Sequence, residues 1–203
     1  MHNFRQNEGE ITVRQRLEKI KLIPFAGRAY PDILVESVMH KKEGTSKLSF
    51  MLEYHLEGDL TCIFLPKLKR NPKLKDRLWE HTCFEAFLAW GDHPSYWEVN
   101  LSPSGDWNTI YFERYRVQKK VDAVSSVEFQ VLKNSKTQFQ CLAEVDIPLT
   151  LEENVSHSLD SSPLWVSLTA VIEEKNQTLS YWANHHEGND PDFHLRKSFN
   201  LLL

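Results

Sequence analysis

A hydrophobic period of two constrains this chain more than any other feature. In the run LSFMLEYHL, Leu48, Phe50, Leu52, Tyr54 and Leu56 share one face, and Ser49, Met51, Glu53 and His55 share the other. An extended strand sorts residues this way, whereas a helix scatters them around its axis. Alternating or continuously apolar runs recur over 81–90, 96–102, 108–115, 128–133, 139–147, 164–174 and 178–183. Turn-forming residues separate them: Gly91-Asp92-His93-Pro94, Pro103-Ser104-Gly105-Asp106, Asn134-Ser135 and Asn176-Gln177. Gly58-Asp59 reads as one more hairpin turn, with 61–65 as its returning strand, and 199–203 reads as a closing strand. Many short strands without a long amphipathic helix predict an all-β fold, an antiparallel β-sandwich. The expected organisation is a single domain over 1–203, with 1–31 an irregular lead-in holding a weak helical pattern over 12–23, and 152–163 a loop.

Charge and cysteine content narrow the partners. A net charge of -4 does not supply the positive field that nucleic acid attracts, so the basic run PKLKRNPKLKDR reads as a solvated loop. No apolar stretch is long enough to span a bilayer, and the first residues lack the apolar segment of a secretion signal. Three cysteines without a CxxC pair favour reduced thiols. The expectation is a cytoplasmic protein with neither nucleic acid nor membrane as partner.

The meander over 81–115 carries the chemistry. Alternation sends Phe84, Ala86, Leu88, Trp97, Val99 and Leu101 toward a core, and Cys83, Glu85, Tyr96, Glu98, Asn100 and Ser102 away from it. In the third strand Ile110 and Phe112 read as inward, and Tyr111, Glu113 and Tyr115 as outward. Carboxylates and amides that orient a ligand, beside rings that stack on it, suit a small-molecule site. A polar network satisfied internally beneath a loop is the alternative.

The strings RLWEHTCFEAFLAW, YWEVNLSPSGDWNTIYFERYR and LSYWANHHEGNDPDFHLRKSFNLLL resemble the bacterial DOMON-like domains, a group similar to family-nine carbohydrate-binding modules. The resemblance covers about 75–203 and implies a β-sandwich of a type that elsewhere binds sugars or haem. Its signature positions here are Trp79, Glu80, Cys83, Glu85, Glu98, Asn100, Ser102, Pro103, Gly105, Trp107, Tyr115, Arg116, Tyr181, Trp182, His185, Pro191, Asp192, Phe193 and His194. Pro103 and Gly105 read as turn formers. With no secretion signal visible and no catalytic domain beside it, the chain is expected to depart from secreted sugar-binding modules. A soluble saccharide or a related polar metabolite fits better than a polysaccharide.

Other chemistries fit these residues less well. His185, His186, Asp190, Asp192 and His194 lie close in sequence, but their spacing matches no established zinc motif. No spacing identifies calcium. Haem would need axial ligands, and neither His55 nor His81 has an evident partner. No phosphate loop, dinucleotide fingerprint or nucleophile elbow is present. The residues therefore call for no cofactor and no metal. They read as a binding module for a small polar, carbohydrate-like ligand, contacted by Trp79, Glu85, Glu98, Asn100, Trp107, Tyr111, Tyr115, Trp182 and His185. A carboxylate- or metal-dependent hydrolase and a protein-interaction module, including a homodimer, stay open as alternatives.

Overall fold

A computed structural model describes residues 13–16, 19–25, 34–42, 47–121, 125–148 and 162–203. Among these residues thirteen strands follow one another: β1 (Val13–Arg16), β2 (Ile20–Pro24), β3 (Leu34–Lys42), β4 (Lys47–Glu57), β5 (Cys83–Trp90), β6 (Tyr96–Leu101), β7 (Trp107–Arg114), β8 (Val117–Gln118), β9 (Ser126–Asn134), β10 (Gln138–Pro148), β11 (Leu164–Glu173), β12 (Leu179–Ala183) and β13 (Leu201–Leu202). They form two antiparallel sheets packed as a sandwich. One runs β8-β7-β6-β5-β11-β12, with β13 beside β11. The other runs β2-β3-β4-β10-β9, with β1 beside β3. Strand β2 belongs to both. Its Ile20 to Leu22 pair with β3, and its Ile23 and Pro24 pair with β12.

The alternation read from the sequence builds the interior. Leu48, Phe50, Leu52, Tyr54 and Leu56 of β4 are all buried, as are Phe139, Cys141, Ala143, Val145 and Ile147 of β10. They meet Phe84, Ala86 and Leu88 of β5, and Trp97, Val99 and Leu101 of β6. Phe84 joins the layers. Its ring stacks on Tyr54 at 4.8 Å and on Phe139 at 5.8 Å. The Tyr54 hydroxyl crosses the interior and donates to the Glu85 carbonyl at 2.5 Å.

Two expectations from the sequence are corrected. The segment 61–65 does not return beside β4, because β3 and β10 already occupy both edges of that strand. Asp59 instead caps a short 3-10 turn, Leu60–Cys62, by accepting from the Thr61 N–H at 2.9 Å. Among the described residues of 12–23 there is no helix, since β1 and β2 lie there and extend the sheets. The remainder of the lead-in and most of the 152–163 loop lie outside the described residues. The turns at 134–137 and 174–178 do close hairpins, β9-β10 and β11-β12.

The outer face of the β5-containing sheet is not left to solvent. Phe87, Ala89, Tyr96, Phe112, Val171 and Ala183 form a second apolar cluster there, under Leu78, Phe193 and Phe199 from the flanking loops. Strands β5 and β6 are consequently buried on both faces. Beside them, the SPSGDW segment is a structural turn. Gly105 holds φ +84°, and its N–H donates to the Ser102 carbonyl at 2.8 Å. The buried Asp106 carboxylate pairs with Lys69 and accepts from the Lys73 N–H at 3.2 Å, tying the basic loop to the sheet. A Cβ at Gly105 would meet Pro72 Cγ at 2.8 Å. Gly105→Ala is therefore expected to cost about 1–3 kcal/mol, read from urea denaturation, through strain and clash together.

Candidate functional site

Cross-strand register assembles the site. On the outer face Glu85 of β5 stands opposite Asn100 of β6, and Glu98 stands between Phe87 and Ile110. The two carboxyls are thus diagonal neighbours on adjacent strands, a spacing within reach of long side chains. Val171 and Tyr181 continue the surface through β11 and β12. A cleft of about 470 Å³ opens over them, in the range of small-molecule sites. Its floor holds Glu85 and Glu98, and its walls include Trp79, Phe87, Ile110, Phe112, Tyr181 and Phe193. Arg116 and His194 complete it from the β7–β8 turn and the 185–195 loop.

Both carboxyls are buried, at 3% exposure for Glu85 and 4% for Glu98. Glu85 Oε2 accepts from the Thr169 hydroxyl at 3.3 Å, while Oε1 has no hydrogen-bond partner among the described residues. The neighbouring Cys83 thiol lies 3.8 Å from both the Phe84 carbonyl and Asn100 Oδ1. Glu98 Oε1 accepts from the Asn100 amide at 2.6 Å. Burial, and then the charge of Glu98, push the Glu85 carboxyl well above the ordinary range. Burial lifts Glu98 to about 7, against the opposing effects of Asn100 and Arg116.

A relay of polar groups borders the pair. The Tyr96 oxygen accepts from the Arg116 backbone N–H at 3.1 Å and lies 2.8 Å from His194 Nδ1. Burial and the Arg116 charge bring His194 down to about 4, so the ring is neutral at pH 7. Burial also lifts Tyr96 to about 12, so its hydroxyl keeps its proton, and the ring tautomer sets which partner donates in the bond to His194 Nδ1. The other ring nitrogen, Nε2, lies 3.8 Å from Glu98 Oε2. That gap is too long for a direct hydrogen bond.

The loop that carries His194 is tied down by Asp192. Its carboxylate accepts from Arg116 at 2.8 Å, from the Tyr115 hydroxyl at 2.5 Å and from the His194 N–H at 3.0 Å. Burial raises Asp192, but these bonds outweigh it and hold the carboxyl below its ordinary range. Arg116 sits in the left-handed region at φ 54° to reach it. Removing Asp192 releases several charge-assisted bonds. In Asp192→Ala, amide hydrogen exchange across 190–195 is expected to rise by about tenfold or more, with the β4 and β10 amides unchanged. Uniform acceleration throughout the chain would disprove the local clamp.

The structure brings some of the expected residues together and disperses others. Trp79, Glu85 and Glu98 line the cleft, and Asn100 lies beneath it against Glu98. Tyr115, 51% exposed, stands outside and acts through Asp192. Tyr111 does not face outward. It pairs with Trp97 on the interior side of the sheet, which puts Ile110 and Phe112 on the cleft side. Trp182 is likewise turned inward, its indole N–H donating to the Ser180 hydroxyl at 3.0 Å, and its neighbour Tyr181 takes the cleft position. Trp107 packs against the main core. His185 faces Glu187 at 3.1 Å, away from the cleft. The histidine-rich loop does not converge: His186 bonds the Ile23 carbonyl, Asp192 holds Arg116, and His194 meets Tyr96. Among the described residues no three His, Cys, Asp or Glu side chains are grouped to hold a metal. The sequence pattern does not reveal Phe87, Phe112 and Val171 as cleft residues, because their apolar character gives no sign of which face they join.

No family model and no curated protein matches the chain. Among solved structures, it is similar to a protein of Bacteroides uniformis described as a "putative carbohydrate-binding protein". The match has a TM-score of 0.55 and 13% identity, over 91% of this chain and 84% of the other. The likeness is one of fold. It agrees with the all-β sandwich seen here, and the cleft residues must be read on their own chemistry.

Proposed function

We propose that the cleft binds a small, polar, carbohydrate-like ligand and that the protein acts as a binding module. The observation that carries this reading is Glu85 Oε1, a buried carboxyl oxygen at the floor of an open cleft with no partner among the described residues. Such a group is costly unless something completes it. A ligand hydroxyl would do so, while the aromatic walls would cover the apolar face of a sugar ring. The fold shared with the Bacteroides protein supports the same ligand class, as does the DOMON-like resemblance of 75–203.

Calorimetric titration with a panel of mono- and disaccharides tests it. At least one should bind, and Tyr181→Ala and Glu85→Gln should each weaken that sugar by roughly tenfold or more. A panel with no binder, or unchanged affinity in both variants, would sink the reading. One observation favours a second reading, glycoside hydrolysis. Glu98 at about 7, beside a second carboxyl, can hold or release a proton near neutral pH. Turnover of aryl glycosides that vanishes in Glu98→Gln would establish the enzyme.

A further inference from the structure

The two carboxyls point to a more specific ligand than a neutral sugar. A hydroxyl donates one hydrogen and brings no charge. It can complete Glu85 Oε1, but it leaves the two buried carboxyls to share protons where they could pair with a cation. The cation whose charge reaches Glu98, Arg116, is shared with another carboxylate. Arg116 is engaged by Asp192 at 2.8 Å. Glu80, on the rim, is engaged by Arg77. His194 is neutral, and the Tyr96 hydroxyl and Cys83 thiol keep their protons. The floor therefore carries acidic groups in excess of its cations, and its walls are aromatic: Trp79, Phe87, Phe112 and Tyr181. Aromatic faces around buried carboxylates are the environment in which an ammonium group is held by ion pairing and cation–π attraction together.

Resting on the binding reading above, we propose that the ligand of this cleft carries a protonated primary amine seated between Glu85 and Glu98. An ammonium offers three donors. One completes Glu85 Oε1, one reaches Glu98 Oε2, and the cation replaces the proton that the empty pair retains. An amino sugar combines this group with hydroxyls for the remaining polar rim and a ring for the aromatic walls.

Matched probes separate this inference from the reading beneath it. Glucosamine is compared with glucose, and benzylamine with benzyl alcohol, by calorimetry at pH 7 on the full chain. The amine of each pair that binds should do so at least about tenfold tighter. That advantage should fall to about twofold or less in Glu98→Gln, an isosteric change whose fold is checked by circular dichroism. Equal binding of amine and alcohol would overturn the amine and leave the sugar reading intact. An advantage that survives in both Glu98→Gln and Glu85→Gln would place the amine elsewhere and overturn the inference. No binding of any probe would overturn both.

Discussion

Between pH 4.5 and 8, folding stability is expected to fall by on the order of a few kcal/mol through the Glu85–Glu98 pair, and Glu98→Gln is expected to reduce that fall. The Glu98 carboxyl titrates at about 7 in the folded protein against 4.5 when unperturbed. Because the folded state holds the proton more tightly, its stabilising contribution is complete below the unfolded value. It is lost as pH rises through about 7. Burial is the main cause, since water can no longer solvate the anion. Glu85 acts in the same direction, so Glu85→Gln should flatten the profile further. Asp192 acts oppositely: its carboxyl is held low, and its contribution disappears on acidification. Urea denaturation midpoints across this pH range provide the measurement. Parallel wild-type and Glu98→Gln profiles would show that Glu98 titrates as it does in the unfolded chain.

The second large effect lies in the interior. Phe84→Ala is expected to cost about 3–5 kcal/mol, equivalent to a drop of roughly 10 °C in Tm for a chain of this size. Phe84 of one sheet is fully buried against Tyr54 and Phe139 of the other, so truncation opens a cavity that both layers border. The damage should reach the cleft as well. Phe84 adjoins Glu85, whose carbonyl accepts the Tyr54 hydroxyl across the interior. Phe64→Ala serves as the control. Phe64 is 40% exposed, and its loss should stay within about 1 kcal/mol. Similar Tm changes for the two variants would contradict the assignment of Phe84 to the joint between sheets.

Strands are legible in this sequence where one face is apolar and the other polar. That is true of β4, where Leu48 through Leu56 alternate with Ser49, Met51, Glu53 and His55. The same alternation is enough to put Glu85 and Glu98 on a common face. The logic fails in β7 and β12. There both faces are covered, so Tyr111 and Phe112, or Tyr181 and Trp182, are equally apolar and their order carries no direction. A shift of one residue exchanges every side chain between cleft and core. The covering loop is harder still. Phe193 and His194 reach the cleft through Asp192, whose partners Arg116 and Tyr115 are remote in the chain. No local pattern encodes such a contact. The histidines suggest a metal because they are adjacent in sequence, yet each is satisfied by a different neighbour.

Strand β2, the strand shared by the two sheets, also sets the order in which this protein can mature. Ile23 must find Ala183, far along the chain. Until β12 has left the ribosome, β2 can be held only from the β3 side, and the layer that carries Glu85 and Glu98 lacks the strand that joins it to β2. The seam therefore forms late, from contacts of very high sequence separation, which folds slowly and leaves sheet edges exposed meanwhile. A nascent chain halted before residue 179 should display a β3-β4-β10 layer without a closed cleft. Ligand binding would then report that β12 has joined the seam.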